Sequence, residues 1–356
     1  MAERLKMPLA GALTAVISIT LVLLGNPGNM GFCVACFLRD TAGALGLHRA
    51  AAVQYVRPEA IGIVIGALIV SLITKEFSSK GGSAPVTRFV LGACVMIGAL
   101  IFLGCPLRMV LRIAGGDINA LIGLIGFAGG ILAGMFFLKK GYSLKRTYDV
   151  SKTDGFALPI LSLLLLAALI FIPSILLFSE SGPGAARAPM IIALAAGIVM
   201  GGVGFISRIC FSGGIRDSLL FKDFSMLSGF ITLLVVGIIG NIVVGQFNLG
   251  FENQPVAHTE WLWNILGLGL VGFGSVLLGG CPFRQMVLAG SGNSDSTVTV
   301  FGMIFGATIA HNFNTASSPA GTTSSGRAAF GIAAAIVIGI AVYNTFFNKK
   351  AKGLSR

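Results

Sequence analysis

Apolar residues run along this chain in long blocks, at roughly 8–25, 58–74, 87–103, 118–138, 156–178, 188–206, 225–245, 261–279, 297–312 and 327–347. A bilayer crossing needs about 20 predominantly apolar residues. The pattern therefore predicts an all-α polytopic membrane protein with about ten membrane helices, several of them short. Between them lie four stretches too polar to cross and too apolar for solvated loops: 28–50, 104–117, 207–221 and 280–295. Irregular backbone survives at membrane depth only when buried in protein or lining an aqueous cavity. These four are expected to be re-entrant loops or short helices that meet centrally.

Composition points the same way, with 55% hydrophobic residues, 11% charged residues and 50 glycines suited to close helix packing or helix breaks in a bilayer. The net charge of +12 would suit a nucleic-acid partner in a polar chain. Here the bland reading wins: basic residues belong in cytoplasmic loops and tails, and no nucleic acid is expected. The opening Met1 to Lys6 followed by an apolar run resembles a signal peptide. The GNPGNMGF after Leu24 offers no small-residue cleavage site, so the run reads as a first membrane anchor.

Charge also sets a topology. Placing Arg4 and Lys6 in the cytoplasm puts Lys75, Lys80, Lys139, Lys140, Lys145, Arg146 and Lys152 on the same side, with the tail Lys349, Lys350, Lys352 and Arg356. Glu252 and Glu260 fall outside, and both termini are cytoplasmic. His48, Arg49 and Arg57 come out external against the rule, which either a charged vestibule or a local error in the span map explains.

The four special stretches share one chemical pattern, a thiol ahead of a guanidinium: Cys36 before Arg39, Cys105 before Arg108, Cys210 before Arg216, Cys281 before Arg284. Cys210 follows Cys36 by 174 residues and Cys281 follows Cys105 by 176. The chain thus divides into repeats at 1–178 and 179–356, each with five spans. An odd span count forces the second repeat to insert upside down, and inverted repeats place their site near the midplane, at broken helices.

An arginine at that depth costs at least about 2.5 to 3.5 kcal/mol, so it needs a reason. Arg39 and Arg216 have adjacent acids, Asp40 and Asp217, that compete for their charge. Arg108 and Arg284 have none and are expected to supply the positive field of a pathway. Thiols are weak donors and soft acceptors, better matched to the terminal sulfur of thiosulfate or to selenium than to the hard oxygens of sulfate. A thiolate would repel a passing anion, so neutral S–H donors are the expected state. Cys94, inside a span, reads as packing.

Cys33 and Cys36 form a Cys-x-x-Cys. With three histidines in all, at 48, 258 and 311, no metal site is expected, and no cofactor. That pair keeps open a second reading, a membrane thiol or persulfide relay enzyme; a third is a structural or sensory subunit whose cysteines merely pack. Asp117 and Asn119 recur as Asn293 and Asp295 at an offset of 176 and read as caps or arginine partners. Hydrolase, P-loop and dinucleotide patterns do not occur, and a transporter rather than an enzyme is expected.

The segments GFCVACFLRD, LGCPLR, FISRICFSGGIRD and GGCPFRQ resemble the YeeE/YedE family of sulfur-compound transporters, across essentially the whole chain. The stretch GFCVACFLRDTAGALGLHRAAAVQYVRPE is similar to the YedE branch, whose members are called selenium transporters. The resemblance implies an inner-membrane uptake protein whose loop cysteines meet thiosulfate or a related sulfur or selenium anion. It also implies delivery to a small cytoplasmic carrier of the TusA/YedF type. Cys36, Cys105 and Cys281 match the family's loop cysteines by position. Cys210 departs from the tight Cys-Pro-x-Arg spacing.

Overall fold

Prolines and polar caps start most of the helices, and the apolar blocks fill them. The computed structural model describes residues 2–347. The Arg4 side chain and the basic tail from Lys349 to Arg356 lie outside what is described. In the first half the helices are α1 (Ala2–Leu23), α2 (Val34–Ala44), α3 (Pro58–Ile73), α4 (Pro85–Phe102), α5 (Pro106–Ala114), α6 (Ile118–Lys139) and α7 (Lys152–Phe171). The second half repeats the order: α8 (Met190–Ser207), α9 (Phe211–Leu220), α10 (Ser225–Val243), α11 (Trp261–Leu278), α12 (Pro282–Gly290), α13 (Ser294–Asn312) and α14 (Ser324–Val342). Two short strands, β1 (Lys80–Gly81) and β2 (Tyr148–Asp149), pair antiparallel.

The chain is an all-α polytopic membrane protein. Ten long helices occupy the ten apolar blocks, and α2, α5, α9 and α12 occupy the four special stretches. Among the described residues eight helical stretches are long and apolar enough to cross a membrane. The two that fall short are α3, at 16 residues, and α13, whose first turns carry the buried polar residues Asp295, Ser296, Thr297 and Thr299. Each packs along a long partner helix, α3 on α8 and α13 on α4. The expected span at 156–178 ends earlier, at Phe171, because Pro173 cannot continue the helix and instead starts a 3-10 turn at Pro173–Ile175.

Packing follows the same repeat. α3 packs on α8 and α10 on α1; α6 packs on α11 and α13 on α4; α5 touches α10 and α12 touches α3. Each pair maps onto the next when the first seven helices are matched in order with the last seven. The correspondence breaks at the seventh helix: α7 lies against α3, α12 and α13, whereas α14 lies against α4 and α11. The α3–α8 contact shows what the glycines do. A Cβ at Gly62 would sit 2.7 Å from the Gly197 Cα, so the backbones touch directly.

One end of the bundle gathers the start of α1, the end of α3, the end of α8 and the start of α10, and β1 and β2 cover the neighbouring ground. At the other end Asn26 donates to Glu59 at 2.8 Å and accepts from the Ala188 amide at 2.9 Å, while Arg327 pairs with Glu260 at 3.1 Å. His48 and Arg57, which the charge rule leaves external, are fully buried here. Arg57 donates to Asp40 Oδ2 at 2.8 Å and to the carbonyls of Pro183 and Ala186 at 2.6 and 3.2 Å. Its charge is held inside the protein rather than in a loop.

Candidate functional site

Each of the four short helices begins at a cysteine: Cys33 caps α2, Cys105 caps α5, Cys210 caps α9 and Cys281 caps α12. Pro106 and Pro282 occupy the first helical position, where a missing N–H is no loss. Cys33 Sγ accepts the Cys36 amide at 3.4 Å, and Cys210 Sγ accepts the Gly213 amide at 3.4 Å. A thiol thus does at these caps what a serine hydroxyl usually does.

This geometry corrects the register of the repeat. The residue equivalent to Cys210 is Cys33, 177 positions earlier, and not Cys36 at 174. The wide spacing to arginine is then shared: Cys33 to Arg39-Asp40 matches Cys210 to Arg216-Asp217. Cys36 falls opposite Gly213, so it is an additional thiol of the first half alone.

The cap sulfurs bond in two pairs, one in each half. The Cys105 amide donates to Cys33 Sγ at 3.5 Å, and the Cys281 amide donates to Cys210 Sγ at 3.4 Å. Two helix N-termini therefore converge on each pair, α2 with α5 and α9 with α12, and their unpaired amide dipoles make both places electropositive. The helices that carry the pairs touch across the halves, α2 on α12 and α5 on α9. Around the first pair Cys36 Sγ lies 2.9 Å from Cys33 Sγ; around the second, Ser212 Oγ lies 3.2 Å from Cys210 Sγ.

The four motif arginines separate into two kinds. Arg39 Nε donates to Asp40 Oδ1 at 2.8 Å and Arg216 Nε donates to Asp217 Oδ1 at 2.7 Å, so both have an adjacent acid as partner, Asp40 being shared with Arg57. Arg108 is fully buried and its partners are neutral: the carbonyls of Asn29, Leu103, Pro255 and Val256, and Cys36 Sγ at 3.8 Å. Arg284 is half-buried and donates to the Gly204 carbonyl at 3.4 Å. Neither has an ion-pair partner among the described residues, so each leaves a net positive charge beside a thiol pair.

Two charged residues of the site region, Arg112 and Arg208, were not singled out by sequence reasoning. Arg112, fully buried, donates to Asp117 Oδ2 at 2.6 Å and to the Phe102 carbonyl at 2.8 Å, with its guanidinium 4.2 Å from the Phe102 ring centroid. Asp117 also caps α6, and Asn293 caps α13, in the roles expected of them. Asp40 joins Arg39 to Arg57. Arg208 lines a cavity of about 620 Å³ with Lys6, Thr74, Glu76, Ser207 and Ser225. That cavity opens at the end of the bundle where α1 starts and reaches the turn leading into Cys210. Cys94 lies buried in α4 as a packing residue. Among the described residues no group of histidine, cysteine and carboxylate side chains is arranged to hold a metal ion.

Comparison with known proteins bears on the motifs of the second half. Residues 206–351, which contain the Cys210–Cys281 pair with Arg216 and Arg284, match the family described as sulphur transport. Over 108 residues the sequence is 29% identical to the thiosulfate transporter TsuA of Escherichia coli (strain K12), a stretch covering 30% of this chain and 30% of that one. The resemblance read from the motifs is thus supported, most directly over the second half.

Proposed function

Because residues 206–351 match the sulphur-transport family, we propose that the chain carries a sulfur-containing anion of the thiosulfate type across the cytoplasmic membrane. The observation that carries the reading is the repeated unit: a pair of cap thiols at two converging helix N-termini, beside an arginine with no acid. Such a unit attracts an anion by charge and holds its soft sulfur by S–H donation. Two units in series, on helices that touch, give a hand-over without a permanent strong site.

The repeats 1–178 and 179–356 insert in opposite senses, so the first unit is reached from the outside and the second from the cytoplasm. The cavity beside Arg208 is the cytoplasmic vestibule, and both termini are cytoplasmic, in keeping with the basic residues at that end. Neutral thiols do not distinguish thiosulfate from a selenium analogue by charge, so both belong to the substrate class. A small cytoplasmic sulfur carrier would collect the cargo at the vestibule.

The test is uptake of labelled thiosulfate by cells lacking their own route, with wild type, Cys105→Ser, Cys281→Ser and Arg284→Ala at matched membrane levels. Uptake is expected to fall in all three. Undiminished uptake in all three would sink the pathway.

A further inference from the structure

Cys36 has no counterpart in the second half, where Gly213 stands. Repetition of the cap thiols does not account for it, yet its sulfur lies 2.9 Å from that of Cys33. We infer that Cys33 and Cys36 form a sulfur-transfer dithiol that cleaves the S–S bond of a sulfane-sulfur anion, an activity additional to transport and resting on the proposed substrate class.

The geometry assigns the roles. Cys33 Sγ is the cap sulfur, accepting the amides of Cys36 and Cys105 at 3.4 and 3.5 Å, so negative charge on it is stabilised by two N–H donors at two helix N-termini. It is the nucleophile. Cys36 sits one helical turn along the same element and within reach, as a resolving thiol must. Arg108, with neutral partners only and Nη1 at 3.8 Å from Cys36 Sγ, is the cation that holds the sulfonate end and stabilises sulfite as it leaves.

The steps balance. Cys33 Sγ bonds to the outer sulfur of thiosulfate, the S–S bond of the anion breaks, and sulfite leaves with its electron pair; the thiol proton stays on the new persulfide. Cys36 Sγ then bonds to Cys33 Sγ, the persulfide bond breaks, and hydrogen sulfide leaves with both protons. Two thiols and thiosulfate become one disulfide, sulfite and hydrogen sulfide, the dithiol supplying the two electrons that reduce the sulfane sulfur. The disulfide removes two S–H donors from the first unit, so the reaction stops after one turnover until a small external thiol reduces it. The second unit has no Cys-x-x-Cys: the first turn of α9 carries Gly213 in the place of Cys36.

Reduced, desalted protein in detergent is mixed with thiosulfate, and released sulfite and sulfide are measured beside the mass of each cysteine peptide. Wild type is expected to release one sulfite and one sulfide per chain and to lose two hydrogens between Cys33 and Cys36. Cys36→Ser is expected to release sulfite without sulfide and to hold one extra sulfur on Cys33; Cys33→Ser should do neither. A merely structural thiol produces no such trapped sulfur. Wild type that transports thiosulfate into cells yet releases no sulfite, or extra sulfur found on Cys210 or Cys281 instead, overturns the inference and leaves the transport reading standing. Absence of uptake by wild type sinks the transport reading itself.

Discussion

Replacing Arg108 by glutamine tests the electrostatic core of the proposal. The side chain is fully buried, bonds only to carbonyls and a thiol, and reaches within 3.8 Å of Cys36 Sγ. An anion docked against that sulfur is about 4 Å from the guanidinium, where two unit charges attract by roughly 4 kcal/mol at an effective dielectric of about 20. Losing it lowers occupancy about a thousandfold, softened because the glutamine amide still donates. Stability moves less, since removing an unpaired buried charge offsets part of the roughly 1–3 kcal/mol lost for each carbonyl left without a donor. The assay is uptake against thiosulfate concentration in cells lacking their own route, with a melting curve in detergent as the folding control. KM for Arg108→Gln is expected to rise by about a hundredfold or more. Arg284→Gln should raise it less, because a half-exposed charge is screened. A folded Arg108→Gln protein whose KM stays within a few-fold of wild type refutes the claim that this charge holds the anion.

Three further predictions concern the scaffold. Arg112→Met leaves Asp117 buried without its cation, a loss of about 3–5 kcal/mol that chemical unfolding will register; adding Asp117→Asn should recover part of it, and equal stability of all three proteins would contradict the pairing. Gly197→Val sets a Cβ 2.9 Å from Gly62 Cα and forces α3 from α8, lowering stability by about 1–3 kcal/mol, whereas Gly129→Ala meets nothing within 4 Å and should be neutral or better. Glu260 lies in a loop: burial raises its pKa, but the hydroxyl and amide of Thr322 and the charge of Arg327 outweigh that and bring it below the ordinary 4.5. Its contribution is therefore present above pH 4.5 and lost as pH falls through the lowered value. The gap in melting temperature between wild type and Glu260→Gln should close on acidification; a gap that persists removes the carboxylate from the account.

Hydropathy blocks located every long helix, and the four intermediate stretches located the short ones, because both signals are local. The prolines after Cys105 and Cys281 are equally local features, and each opens a short helix. The acids next to Arg39 and Arg216 were also legible as partners, and they do bind them. What local reading missed was register. Cys36 stands as close to Arg39 as Cys105 does to Arg108, and that likeness drew the alignment to the wrong thiol. The physical criterion is which sulfur can accept an amide three residues on and a second amide from the next short helix, and Cys33 meets it. Arg57 escaped because two of its acceptors, Pro183 and Ala186, lie far along the chain. The different neighbours of α7 and α14 carry no local signal at all.

The extra polar groups of the first half give the two ends of the molecule different characters. Arg57 and Arg112 each bind an aspartate of the first half, Asp40 and Asp117, and both ion pairs are sealed from solvent. Their counterparts in the second half are weaker: the Asp217 carboxylate pairs with Arg216 alone among the described residues, and the place of Asp117 is taken by neutral Asn293. Breaking a sealed pair costs about 3–5 kcal/mol, while a partly exposed one contributes about 1 kcal/mol or less. The first thiol unit is accordingly closed, with Cys33, Cys36, Cys105 and Arg108 fully buried. In the second unit the thiols are buried too, but Arg216 and Arg284 are only half-buried, and the cavity of about 620 Å³ reaches as far as Arg208, two residues before Cys210. A molecule with equivalent repeats would favour neither end. This one concentrates its sealed ion pairs in the first half, so the first unit is the more firmly held of the two.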